Sequence, residues 1–228
     1  MKKRAKIILL IATAVLVIAV GAGLVFAAPM LAMKPAQTGV FPGTDNLNVI
    51  ALRSGRGNLY LANIGAGWLM IDAGANADSV EAGLAELGID PAQIKAILLT
   101  HTHGDHVAAL PLFPDAEVYL SEGETPPATA PQAIKLLKGG EKLLFGNVEV
   151  ECIAAPGHTS GSMLYNIRAK DMERSHLFSG DALRWSNGRM SVHPFTSDKA
   201  QAEKTIAALP GAWMILTSHY GWFYPPIP

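Results

Sequence analysis

The chain has 228 residues, a formal net charge of −1 and one cysteine, Cys152. That length gives room for one domain of ordinary size, or one domain plus a tail. No basic patch of the kind a nucleic-acid binder carries is visible, and a lone cysteine excludes an internal disulfide.

Lys2, Lys3, Arg4 and Lys6 precede an uncharged stretch from Ile7 to Ala28, which ends in Val25-Phe26-Ala27-Ala28-Pro29. About 20 apolar residues cross a bilayer, and flanking positive charge keeps the start of a chain in the cytoplasm. Residues 1–28 are therefore expected to be a signal anchor or a cleaved signal peptide. The apolar stretch is longer than the 7–15 or so residues of a signal-peptide core, which favours the anchor; the small residues around Ala27 fit cleavage. The remainder is expected to be exported, either membrane-anchored and extracytoplasmic or, after cleavage, secreted or periplasmic. Without its four leading basic residues the chain falls from −1 to −5, so the exported part is mildly acidic.

Residues 29–45, rich in Pro, Gly, Ala and Thr without periodicity, read as a tether, and residues 46–228 as the folded domain. Val49-Ile50-Ala51-Leu52, Leu59-Tyr60-Leu61-Ala62 and Trp68-Leu69-Met70-Ile71 are apolar runs parted by turns containing glycine, as expected of consecutive antiparallel strands. Asp78 with Glu81 three residues on predicts a helix start, and Gly88 its close. Asp90-Pro91 opens a short turn, and the strand Ile94 to Leu99 follows. Gly146-Asn147 predicts a two-residue hairpin between Lys142–Phe145 and Val148–Ile153. Further strands are predicted at 163–167, 177–178 and 214–217, with a helix from Asp198 to Leu209. In the strand from Val148, Cys152 shares a face with Val148 and Val150, the place of a small buried hydrophobe.

His101-Thr102-His103-Gly104-Asp105-His106 puts four metal-capable side chains directly after an apolar strand. Side chains at i and i+2 of an extended chain point the same way, so His101 and His103 can share one ion. If the chain turns into a helix at Gly104, Asp105 and His106 face a neighbouring position where a second ion fits. His158, Asp181 and His219 each stand at the end of a predicted strand, where a sheet rim can gather them around one point.

These residues, from about Asn46 to Gly221, resemble the metallo-β-lactamase fold superfamily. Its H-x-H-x-D-H motif is met by His101, His103, Asp105 and His106, and its later histidine, aspartate and final histidine by His158, Asp181 and His219. Asp72, in Met70-Ile71-Asp72-Ala73-Gly74, is similar to the family's early aspartate, which supports the site from behind the ligands. The resemblance implies an α/β fold, a four-layer αβ/βα sandwich with metals at one sheet edge. It further implies one ion on His101, His103 and His158, a second on Asp105, His106 and His219, and Asp181 bridging them.

The ions implied are two zincs, with iron or manganese as substitutes. Together they would serve a hydrolase that directs a metal-bridging hydroxide at an ester, thioester or lactone of a small molecule. Asp105 would also accept a proton or orient that hydroxide. Asp181, with no cysteine near it, aligns the chain with the glyoxalase II and lactonase branch rather than the cysteine-bearing β-lactamases. Glyoxalase II carries a C-terminal helical domain that helps bind glutathione; Tyr220 to Pro228 follow the last ligand here. The rival readings are a mononuclear iron persulfide dioxygenase, a β-lactam hydrolase and a non-catalytic metal-binding protein. Beyond a small molecule and the membrane at the N-terminus, no partner is implied, and oligomeric state is left open. His176 and His193 read as structural or solvated; Arg184, Trp185 and Tyr220 follow metal ligands closely and are read as lining the substrate pocket or as packing or surface residues.

Overall fold

A computed structural model describes residues 27–41, 47–130 and 133–225. The expected membrane segment therefore lies almost wholly outside the described residues, among which no helix is long and apolar enough to cross a membrane. The chain divides into two compact units, residues 1–33 and 34–228. In the first, residues 27–31 are helical.

The second unit is built on two sheets. The seven strands of the first follow one another in space as in sequence: β1 (Gly39–Val40), β2 (Ile50–Ser54), β3 (Gly57–Asn63), β4 (Trp68–Ile71), β5 (Ile94–Leu98), β6 (Glu117–Ser121) and β7 (Ile134–Leu137). β1 to β4 pair antiparallel, β2 to β4 as the turn spacing predicts, and β4 to β7 pair parallel. Parallel neighbours need a crossover. Helix α1 (Ala77–Glu86) supplies one between β4 and β5, and the short α2 (Gly104–Val107) begins the next. α1 is capped by Asn76, whose side chain accepts from Ser79 N, so the predicted start at Asp78 falls inside the first turn.

The second sheet runs β15 (Trp222–Phe223), β14 (Met214–Leu216), β11 (His176–Phe178), β10 (Met163–Ala169), β9 (Val148–Ala154), β8 (Lys142–Phe145). Gly146-Asn147 makes the predicted two-residue turn between β8 and β9. Strands β12 (Leu183–Ser186) and β13 (Arg189–Val192) form a separate hairpin, and α3 (Lys199–Ala207) follows with Asp198 as its cap. Residues 34–41, inside the stretch expected as tether, belong to this unit: β1 pairs with β2, and Phe41 is buried in the core.

Three apolar clusters define the layers. One joins the sheets face to face, with Tyr60, Leu98, Cys152, Tyr165 and Phe178 among its members. A second packs α1 on the outer face of the first sheet, and a third packs the β12–β13 hairpin and residues Ile206 and Leu209 on the outer face of the second. Cys152 is thus the expected core residue, and burial pushes its thiol up to about 12.

β4 and β5 run parallel, as do β9, β11 and β14, so their carboxyl ends collect at one edge of the sandwich. Two buried tyrosines tie that edge together across the core. Tyr165 of β10 donates to the Leu99 carbonyl at 2.8 Å, two residues before His101, and Tyr60 of β3 donates to the Thr217 carbonyl at 2.6 Å, two before His219. Replacing Tyr165 by Phe is expected to cost about 1–3 kcal/mol, the penalty for removing one partner of a buried hydrogen bond, read from urea unfolding. A loss below about 0.5 kcal/mol, the low end for one hydrogen bond, would contradict the tie.

Candidate metal centre

Every residue predicted for the site arrives at that edge. Asp72 follows β4 in a left-handed conformation, φ +61°, which costs an L-residue energy and is tolerated best by short polar side chains. Its backbone N–H donates to the Leu98 carbonyl. From there its carboxylate accepts from Thr100 N at 2.8 Å, from the Thr100 hydroxyl at 3.0 and 2.9 Å, and from His106 Nδ1 at 2.8 Å. Asp181 comes off β11 through Gly180, φ +51°, where a Cβ would lie only 2.7 Å from Thr100 Cβ, so the two sheet ends touch through a glycine. His158 leaves β9 on a loop held by α3: Asp198 N donates to the Gly157 carbonyl, Ser197 N to the His158 carbonyl.

The contacts behind three rings set their tautomers. A carboxylate only accepts, so the Thr100 hydroxyl uses its proton on Asp72 and must accept from His101 Nδ1, 3.1 Å away. His106 Nδ1 donates to Asp72, and His219 Nδ1 to the Arg56 carbonyl at 2.9 Å. In all three rings Nε2 is left for the interior, as in histidines that ligate metals and donate their other N–H outward. His101 Nε2 and His158 Nε2 stand 3.0 and 3.1 Å from His103 Nδ1.

The ligand atoms fall into groups able to hold a cation. His101, His103 and His158 form one; Asp105, His106 and His219 another; His101, His106 and Asp181 a third. Asp181 Oδ2 is 3.3 Å from His219 Nε2 and 3.6 Å from His158 Nε2, and Oδ1 is 3.6 Å from His106 Nε2. Among the described residues, the buried His106 Nε2 and Asp181 Oδ1 have no hydrogen-bond partner. Unpaired buried polar atoms of this kind are costly, and divalent cations fit a donor set of imidazoles and carboxylates.

The electrostatics agree. Burial opposes charge on His106 and His219, yet the carboxylates outweigh it. Asp72 and Asp181 raise His106 well above its ordinary value, and Asp181 and Asp105 raise His219 to about 10. Burial would lift Asp181 and Asp105, but His106 and His219 hold Asp181 well below the carboxylate range and bring Asp105 to about 2. Burial lowers His101 well below its ordinary value and His158 to about 4.

Two residues escaped the sequence analysis. His193, read there as structural or solvated, is 2 % exposed and its Nε2 lies 3.7 Å from Asp181 Oδ2. The signal that would have placed it is Asn187-Gly188, whose positive φ angles of 53° and 73° close the β12–β13 hairpin that delivers His193. Glu124, beyond β6, accepts from Thr102 N at 3.0 Å, from the Thr102 hydroxyl at 2.6 Å and from the Thr159 hydroxyl, so it clamps the loop of His101 and His103 to that of His158.

Residues 52–219 match the family model described as "Metallo-beta-lactamase superfamily". The chain belongs to that superfamily. It is 32% identical over 164 residues to a hydroxyacylglutathione hydrolase of Xanthomonas euvesicatoria pv. vesicatoria (strain 85-10), a match covering 67% of this chain and 59% of that protein. A probable metallo-hydrolase, YqgX, of Bacillus subtilis (strain 168) is 31% identical over 134 residues, covering 50% and 60%. The chain thus spans about 59% of the length of the first of these relatives. Among solved structures, the metallo-beta-lactamase SMB-1 superposes with a TM-score of 0.63 at 19% identity, covering 82% of each chain. A B3 metallo-beta-lactamase with an active-site glutamic acid gives 0.60 at 24%, covering 78% of this chain and 80% of that one. Both show the superfamily fold, in agreement with the layers described above.

In the metal-free protein the neighbouring carboxylates favour the protonated forms of His106, raised well above its ordinary value, and of His219, raised to about 10. A cation needs unprotonated nitrogen, so loading must release those protons and tighten as pH rises. Calorimetric titration with zinc in buffers of different ionisation enthalpy should report a net release of protons on loading. No release would contradict this charge assignment.

Proposed function

We propose that the protein is a dinuclear metal-dependent hydrolase of small-molecule thioesters, with zinc as its resident metal. The observation that carries this reading is the pair of ligand groups, His101, His103 and His158 on one side and Asp105, His106 and His219 on the other, with the Asp181 carboxylate between them. Bound there, two divalent cations would supply Lewis acidity toward a carbonyl oxygen and acidify water near neutral pH. The thioester follows from the name of the Xanthomonas relative; esters and lactones share its carbonyl chemistry.

The residues divide the work. Asp72 holds His106 in the tautomer that turns Nε2 inward and, through Thr100, does the same for His101. Asp105 stays ionised at about 2 and keeps its side chain 44% exposed. An exposed, fully ionised carboxylate orients water as a hydrogen-bond acceptor and is too weak a base to store a proton at neutral pH. The net charge of −5 without Lys2, Lys3, Arg4 and Lys6 disfavours polyanionic nucleic acids, whose binding depends on Lys and Arg neutralising phosphates.

A panel of a hydroxyacylglutathione thioester, a carboxylic ester, a lactone, a β-lactam and a phosphodiester, run on metal-replete protein, tests the reading. Hydrolysis of the thioester is expected to lead, with β-lactam and phosphodiester well behind. Asp181→Ala should lower turnover by about 10²-fold or more, the scale of losing one electrostatic stabiliser. A phosphodiester turned over well above every carbonyl substrate would reject the proposal, as would an oxygen-consuming persulfide activity with a single bound iron.

A further inference from the structure

His193 reaches the metal centre by the β12–β13 hairpin, and its ring packs against His158, His219 and Tyr220 with centroids 5.1, 5.7 and 5.6 Å apart. By position alone it belongs with the ligands, since His158, Asp181 and His193 form a group able to hold a cation. The contact behind its ring says otherwise. Phe195 N–H donates to His193 Nδ1 at 3.3 Å. A backbone N–H only donates, so Nδ1 must present a lone pair and the ring proton of the neutral imidazole resides on Nε2. His101, His106 and His219 show the reverse, each with Nδ1 donating outward and Nε2 turned toward the interior. A neutral imidazole bound to metal through Nε2 must carry its proton on Nδ1, where it would meet the Phe195 N–H head-on.

We infer that His193 is a catalytic hydrogen-bond donor, which presents a fixed Nε2–H to the acyl oxygen of the substrate rather than ligating metal. Nε2 is buried and has no hydrogen-bond partner among the described residues. Asp181 Oδ2 is 3.7 Å away, beyond hydrogen-bond reach, and is already crowded by His158 and His219. A buried donor with nothing to donate to is costly, and an acyl oxygen gaining negative charge is the partner such a donor favours. The proton stays on Nε2 throughout, so the step needs no base and no exchange with solvent. This role rests on the carbonyl-hydrolase reading of the same site.

Two measurements test it. The first uses no turnover: nitrogen-15 spectra of the cadmium-113-loaded protein, with His193 assigned by its loss in His193→Gln. His193 is expected to show a protonated Nε2, a bare Nδ1 and no coupling to cadmium, while His101, His106 and His219 couple through Nε2. Coupling at His193, or a proton on its Nδ1, overturns the proposal. The second compares His193→Leu with His193→Gln, whose amide N–H can replace the donor, on whichever substrate of the panel the wild type hydrolyses fastest. Leu should lower kcat by about 10²-fold with KM little changed, the scale of losing one donor to a developing oxyanion; Gln should restore part of it, with metal content and zinc affinity equal to wild type in both. A loss of bound metal in the Leu variant would make His193 a ligand or a prop for Asp181, and unchanged kcat would leave it no role; either overturns the proposal. If no panel substrate is hydrolysed by the wild type, the hydrolase reading has failed, and with it the acyl oxygen as acceptor, while the spectra still decide between donor and ligand.

Discussion

The arrangement of the whole edge depends on one buried carboxylate. Asp72 accepts four contacts, three from Thr100 (its N–H, and its hydroxyl toward each carboxylate oxygen) and one from His106. Through them it orients two rings at once: His106 directly, and His101 by obliging the Thr100 hydroxyl to accept rather than donate. Moving that carboxylate would free both imidazoles to present the wrong nitrogen. Its placement is itself forced, because Asp72 sits at φ +61° with its N–H on the Leu98 carbonyl, so the end of β4 is locked to the end of β5. Backbone strain held in place at a functional site is the pattern expected where the surrounding structure over-determines it.

The fold serves that edge by bringing two sheets to it from opposite sides. Parallel order in β4 and β5 brings Asp72 and His101 together; common direction in β9, β11 and β14 does the same for His158, Asp181 and His219. The two sets meet through Gly180 against Thr100 and through the hydrogen bonds of Tyr60 and Tyr165. Glu124 adds a tie between loops of the two sheets, with Gly123 and Gly161 in backbone contact beside it. Rigidity of this kind matters because the ligands carry like-signed lone pairs. Without cations the carboxylates favour protonation of His106 and His219, and a cation bound to either ring must displace any proton held on its ligating nitrogen.

Much of the site was legible in the sequence because its signals are local. Four ligands fall within six residues, and His158, Asp181 and His219 each close an apolar run that reads as a strand by composition. The hairpin turn at Gly146-Asn147 and the Asp198 cap were legible for the same reason. β12 and β13 carry a weaker signal: Leu183, Trp185, Met190 and Val192 alternate with Arg184, Ser186, Arg189 and Ser191 around the Asn187-Gly188 turn, but each run is only four residues long, with two apolar positions apiece. His193 was lost with that hairpin. Glu124 could not be seen at all from sequence, because its partners Thr102 and Thr159 lie 22 and 35 residues away and are brought to it only by the meeting of the two sheets. The cap at Asn76 rather than Asp78 shows a smaller limit: both residues can cap, and the Asn76 contact to Ser79 N decides between them.

On the proposed reading, ring tautomers fixed from behind direct two sets of ligand atoms at two cations on either side of Asp181. Diffraction from crystals of the zinc-loaded protein, recorded above and below the zinc absorption edge, tests it most directly. Two anomalous peaks are expected, one among His101 Nε2, His103 Nδ1 and His158 Nε2 and one among Asp105, His106 Nε2 and His219 Nε2, each within coordination distance of Asp181. A single peak, or any peak bonded to His193 Nε2, would contradict it.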